Sequence, residues 1–310
     1  MEAIAAIQET AVPLILERTI AAFQQPHEKN RATIEAVPRR TFSFGPAERN
    51  KLDIYYPAPG VATAPVLVFI YGGGFMTGER ALPPPALVFA NVGAYFAARG
   101  FLVAVPDYTL LPAPFPLPAA EVHDAIAWIA AHADDIAAAV PDAPRLDATA
   151  IHTLGHSAGG CHLATAFLLP ELAQPAAPAH TLVLSGAALD LAGSLAVSPP
   201  AVGAYFGGAD VRARHPAGLL ADAPAELLRA LPRVVIVQAE REYEGLEERV
   251  QRFKALLEAR MAEVGGGQGG WTEVPFVRAK GHNHISINLA LATGEGEEWA
   301  EELIKVLRSS

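Results

Sequence analysis

The stretch Leu154-Gly155-His156-Ser157-Ala158-Gly159-Gly160 constrains this chain more than any other. Strand-like residues 148–154 lead into it, and a helical run over 161–169 follows, stopped by Pro170. A serine in G-x-S-x-G between a strand and a helix sits on a very tight turn. Residues two before and two after it come together, so Gly155 and Gly159 cannot carry bulk. The hydroxyl then stands clear of the strand ends, and the new helix offers backbone N–H groups and a positive dipole end to a developing anion. A glycine-rich turn with an incidental serine has the same local pattern, so the rest of the chain must decide.

That rest reads as buried strands alternating with helices. Pro65–Tyr71, Phe101–Val105, Thr181–Leu184 and Val234–Val237 are continuous β-branched or apolar runs, the mark of strands buried on both faces. Thr41–Phe44 and Leu52–Tyr56 read as strands around a Gly45-Pro46 turn, the second alternating like a half-exposed antiparallel edge. Helices are expected over 118–139, 246–264 and 297–307, a flexible loop over 265–270, and a last strand at Thr272–Val277. The pattern predicts an α/β fold: one mostly parallel sheet flanked by helices, with a small helical cap. Residues 41–310 form the catalytic domain in this reading. Residues 187–232, rich in Ala, Gly and Pro, form a cap-like excursion at the mouth of the site. Apolar positions Ile4, Ile7, Leu14, Ile15, Ile20 and Phe23 predict one kinked or two short helices in the N-terminal segment 1–40, a candidate part of the cap.

Composition narrows the function classes. A formal charge of −10 disfavours nucleic acid and anionic membrane surfaces as partners. Cys161 is the single cysteine, so no internal disulfide forms, which fits a reducing compartment. The first residues lack the basic start of a secretory signal, and no apolar run reaches about 18 residues. The expectation is a cytoplasmic protein without a membrane span.

A serine hydroxyl needs a base, a group that orients the base, and donors for the oxyanion. In α/β sheets these lie on loops at the carboxyl ends of strands. After the 65–71 run comes Gly72-Gly73-Gly74-Phe75, whose bare backbone suits an oxyanion loop; Gly73 and Gly74 are the candidate donors, with Ala158 N–H as a third. After Val237 come three acids, Glu240, Glu242 and Glu244. After the last strand come Gly281-His282-Asn283-His284. The order serine, acid, histidine is that of a hydrolase. His282 and His284 also form an H-x-H pair, but no carboxylate or thiolate nearby completes a metal site, so no metal and no cofactor are expected. His152, His156 and His162, near the turn, read as packed or solvent-facing rings.

Together, Tyr71-Gly72-Gly73-Gly74-Phe75, Asp107-Tyr108 with Leu111-Pro112 and Phe115-Pro116, Gly155-His156-Ser157-Ala158-Gly159-Gly160 and Gly281-His282-Asn283-His284 resemble the α/β-hydrolases, within them the carboxylesterases related to hormone-sensitive lipase. The resemblance runs from about residue 50 to 305. It implies a serine esterase acting on a small-molecule ester, with Ser157 as nucleophile and an oxyanion hole at Gly73, Gly74 and Ala158. The family's acid, usually Asp, falls on Glu242. Its histidine precedes an apolar residue, which selects His284, before Ile285, over His282. Tyr71 stands where the family usually has His. Two other functions share the pattern: an arylformamidase-like amidase with the same triad, and a non-catalytic small-molecule binder.

Overall fold

A computed structural model describes residues 1–60, 62–82, 87–173, 177–191, 199–207 and 210–309, with the side chains of 199 and 200 left out. Eight strands form one sheet: β1 (Arg39–Ser43), β2 (Lys51–Tyr55), β3 (Thr63–Ile70), β4 (Leu102–Pro106), β5 (Arg145–His156), β6 (Thr181–Ser185), β7 (Arg233–Arg241) and β8 (Phe276–Asn283). Their order is β1-β2-β4-β3-β5-β6-β7-β8, antiparallel across β1, β2 and β4 and parallel from β4 to β8. All residues of β4 and β6 and the last five of β3 are buried, as their unbroken apolar runs predict.

The helices are α1 (Glu2–Ala5), α2 (Val12–Glu35), α3 (Ala90–Ala97), α4 (Leu117–Ala131), α5 (Ala133–Ala138), α6 (Ala158–Leu168), α7 (Pro199–Phe206), α8 (Val211–Arg214), α9 (Pro216–Asp222), α10 (Ala225–Arg229), α11 (Leu246–Val264), α12 (Ser286–Leu289) and α13 (Glu298–Arg308). The switch from parallel β3 to both β4 and β5 puts the ends of β3 and β5 side by side at the sheet's centre, where the Gly72 loop and Ser157 emerge.

Four expectations need correction. β2 is not an edge: it lies between β1 and β4, and its polar Asp53 is buried because Thr41 Oγ1 (2.6 Å) and Arg80 Nε (3.1 Å) satisfy the carboxylate. The 118–139 helix breaks at His132, whose backbone leaves the helical region at φ −113° and ψ 30° while its N–H and ring Nδ1 both meet the Trp128 carbonyl, at 3.0 and 2.9 Å. The N-terminal helix runs on to Glu35, with Pro13 in its first turn where a missing N–H costs nothing. The last strand begins after Pro275, which has no N–H to donate, and continues through Asn283 to the edge of the site.

The excursion over 187–232 becomes α7 to α10, with residues 192–198 and 208–209 outside the described residues. Tyr205 of α7 stacks on Phe75 of the glycine loop at 4.9 Å, and Val202, Phe206 and Leu191 join it in a small apolar cluster with Cys161.

Candidate active site

Ser157 has φ 54° and ψ −122°, a conformation that costs a side-chain-bearing residue energy and persists only where the surroundings impose it. Here the imposition is steric. A methyl group at Gly155 would lie 2.7 Å from the Gly160 Cα, and one at Gly159 2.2 Å from the Tyr71 carbonyl oxygen. The turn therefore closes only with these glycines. Ser157 N–H donates to the Ser185 carbonyl at 3.0 Å, tying the turn to the end of β6.

Ser157 Oγ lies 3.0 Å from His284 Nε2, and His284 Nδ1 lies 2.6 Å from Glu242 Oε2. The imidazole and carboxylate side chains are 3% and 4% exposed. A carboxylate accepts only, so Nδ1 carries the proton and Nε2 presents its lone pair to the serine. The Glu242 loop is held as well: Ala239 N–H reaches Oε1 at 3.3 Å. Tyr243 packs edge-on against the His284 ring at 5.2 Å.

The other candidates lie elsewhere. Glu240 Oε2 accepts from Gly281 N–H at 2.7 Å, and Glu244 is exposed. His282 uses both ring nitrogens, Nε2 donating to the Gly296 carbonyl at 2.7 Å and Nδ1 meeting Ser286 Oγ at 3.1 Å. Burial holds its pKa below that of a free histidine.

The glycine loop abuts the serine: a methyl at Gly72 would fall 2.8 Å from Ser157 Cβ. Gly73 and Gly74 have φ of 147° and 60°, which glycine alone adopts without strain. Ala158 opens α6, where a first-turn N–H has no partner within the helix. Tyr71 anchors the loop. Its hydroxyl donates to Asp107 Oδ1 at 2.8 Å and accepts from Arg49 Nη2 at 2.9 Å, and its ring stacks on Tyr108 and Phe89. Arg80 N–H and guanidinium close over the same Asp107 carboxylate. The far side of the loop is thus fixed by the buried Asp107 carboxylate and two arginines rather than by a histidine.

Two contributors escaped the sequence reading. His156, fully buried, donates from Nε2 to the His284 carbonyl at 3.0 Å; burial first, and the neighbouring His284 second, push its pKa well below the usual value, so it holds the His284 backbone as a neutral ring. Asn283 Oδ1 accepts from Ile285 and Ser286 N–H at 3.0 and 2.8 Å, while Ser286 Oγ accepts from Asn283 N–H at 2.9 Å. These reciprocal bonds are those of a capping box, and the spacing N-x-x-S was its signal.

Ser157, His284 and the three loop glycines open into a cavity of about 550 Å³. Val12, Leu16 and Ile20 of α2 form one wall; Val88, Phe89, Ile285 and Leu289 form others. Among the described residues, no Lys, Arg, Asp or Glu and no residue of 187–232 lines it. Among the described residues there is also no cluster of three metal-ligating side chains, and no helix is long and apolar enough to cross a membrane.

A family model described as BD-FAE matches residues 52–171, taking in the glycine loop and Ser157 but stopping before Glu242 and His284. The chain is 33% identical over 132 residues to a probable isoprenylcysteine alpha-carbonyl methylesterase, ICMEL1, of Oryza sativa subsp. japonica, and 32% identical over 133 residues to the isoprenylcysteine alpha-carbonyl methylesterase ICME of Arabidopsis thaliana. Each match takes in 43% of this chain and 28% of the relative, so the chain spans under a third of those proteins. Among solved structures, the esterase of Pyrobaculum calidifontis superposes with a TM-score of 0.66 at 20% identity, covering 94% of this chain and 92% of its own. A Rhizomucor miehei esterase superposes at 0.63 and 22% identity, covering 94% and 90%. The chain has the α/β-hydrolase fold of these esterases, and over residues 52–171 it is similar in sequence to the BD-FAE family model.

Proposed function

We propose that the protein is a serine hydrolase that cleaves carboxylic esters through an acyl-enzyme. The observation that carries this reading is the relay from Ser157 Oγ through His284 to Glu242, at 3.0 and 2.6 Å, opening beside a glycine loop into an apolar cavity. Ser157 Oγ attacks the ester carbonyl as its proton passes to His284 Nε2, and Glu242 stabilises the imidazolium that forms. The N–H groups of Gly73, Gly74 and Ala158 receive the oxyanion. The imidazolium gives the proton to the departing alcohol. Water, deprotonated by the same nitrogen, then attacks the acyl carbon and frees Ser157.

A cavity lined, among the described residues, by no Lys, Arg, Asp or Glu suits an uncharged ester with an apolar group on one side. The plant relatives are named isoprenylcysteine alpha-carbonyl methylesterases, and a methyl ester beside an isoprenyl chain has that chemistry. Ser157→Ala tests the reading: turnover of p-nitrophenyl esters is lost while the melting temperature is retained, and a fluorophosphonate labels wild type only. Full esterase activity in the variant refutes it. Formamide turnover outpacing every ester would replace the ester with an amide bond.

A further inference from the structure

The N-terminal segment contacts the loops on both sides of His284. α2 carries two rows at four-residue spacing. Val12, Leu16 and Ile20 line the cavity. Ile15, Thr19, Phe23 and His27 are buried on the neighbouring stripe, with Ile15 and Phe23 in an apolar cluster that includes Leu289 and Ile285. Within that stripe, Thr19 Oγ1 accepts from Asn283 Nδ2 at 3.0 Å. The orientation of this amide is dictated, because its oxygen already takes the Ile285 and Ser286 N–H groups, leaving the NH₂ to face Thr19. Both residues are fully buried, so no water can replace either partner. Two turns on, His27 Nε2 donates to the Leu289 carbonyl at 2.7 Å. On the acid side, Arg241 Nη1, next to Glu242, donates to the Ile4 carbonyl at 2.8 Å.

We propose that residues 4–27 are a positioning element for the base, acting chiefly through the buried Thr19–Asn283 hydrogen bond, so that the helix forming the substrate wall also sets the placement of His284. This rests on the role of His284 under the proposed function. The base is held from three directions: Glu242 on the ring, His156 on its carbonyl, and Asn283 on the preceding residue. Asn283 in turn has one side-chain partner outside its own loop, and that partner is on α2. Loss of that acceptor leaves a buried amide donor unpaired, and the loop relaxes to satisfy it. Proton transfer from Ser157 needs Nε2 within hydrogen-bond reach, so a shift of this loop lowers kcat and leaves ground-state binding in place.

The test is Thr19→Val, which keeps the shape and removes the acceptor, beside Thr19→Ser, which keeps the acceptor. Hydrolysis of p-nitrophenyl acetate is measured per active site, with sites counted by burst titration. The expected result is a kcat about tenfold lower in Thr19→Val, since a 1 Å misplacement of a reacting group can cost about 10²-fold and this loop shifts by a fraction of that. KM stays close to wild type, and Thr19→Ser restores kcat. His27→Leu, assayed in the same way, gives a second reading at the other contact: a KM-neutral loss of kcat supports the proposal even if Thr19→Val does not fold. Wild-type kcat per site in the variants that fold, or a Thr19→Ser loss equal to that of Thr19→Val, overturns it. No ester turnover by the wild type would instead overturn the ester-hydrolase reading.

Discussion

Two neighbouring glycines of the proposed oxyanion loop should respond to the same substitution very differently. An alanine methyl at Gly73 would lie 1.8 Å from the Thr77 carbonyl oxygen and 2.7 Å from its carbon. Ordinary contact needs about 3.5 Å, so the two must separate by more than about 1.5 Å. Thr77 cannot easily yield, because its N–H, its hydroxyl and the N–H of Met76 all bond the Gly73 carbonyl, at 3.0, 3.1 and 3.1 Å. The backbone at Gly73 must swing instead, and its φ of 147° is strained for alanine in any case. Oxyanion donors work at roughly 2.7–3.1 Å, so such a swing removes at least one, and Gly73→Ala should lower kcat by about 10²–10³. At Gly74 an added methyl meets nothing within 4 Å, and φ is 60°. Gly74→Ala should cost about 1–2 kcal/mol of stability for the left-handed backbone, and less than about tenfold in kcat. Steady-state p-nitrophenyl acetate kinetics with thermal melts on both variants decide the matter. Equal losses in the two, or wild-type kcat in Gly73→Ala, would refute the placement of the oxyanion donors.

The acid is tested by Glu242→Gln against Glu240→Gln: the amide can donate to His284 Nδ1 and force the proton onto Nε2, so kcat should fall by about 10²–10⁴, while Glu240→Gln, which touches only Gly281 N–H, stays within tenfold; a larger loss in the second variant overturns the assignment. Stability should fall as pH drops below about 6.5: burial lowers His152 to about 4 and His162 to about 3, so the unfolded chain takes up protons that the native state refuses. Each such histidine contributes a slope of about 1.4 kcal/mol per pH unit between its unfolded and folded pKa. Urea midpoints that do not move between pH 7 and 5 would contradict this.

What could be read from the chain follows how local the determinants are. Ser157, Gly73 and Gly74 sit in contiguous glycine-rich motifs that follow a buried strand, so their positions were legible. The strands β3, β4 and β6 were legible because burial on both faces leaves an unbroken apolar run. Asp53 misled, since its partners Arg80 and Thr41 lie 27 and 12 residues away and nothing near Asp53 marks the pairing. The choice among Glu240, Glu242 and Glu244 depended on resemblance for the same reason: each is an acid on one loop, and only the side chain's direction separates them. His156 and Asn283 act through backbone carbonyls and N–H groups, which no residue pattern distinguishes from ordinary packing until the cap spacing at Asn283 is counted.

Tyr71, where the resembled family usually has His, anchors the glycine loop through contacts of its own. A tyrosine hydroxyl both donates and accepts, and here it does both, toward Asp107 and from Arg49. Its ring reaches further than an imidazole, and the loop makes room for it: a methyl at Gly78 would stand 2.5 Å from the Tyr71 ring, so the return arm of the loop passes directly against it. Arg49 also bonds the Gly78 carbonyl at 2.7 Å, and Arg80, two residues on, closes on Asp107. One side chain therefore pins both arms of the loop at once. The glycines between them are left free of side chains on the face toward Ser157, where an oxyanion donor has to stand.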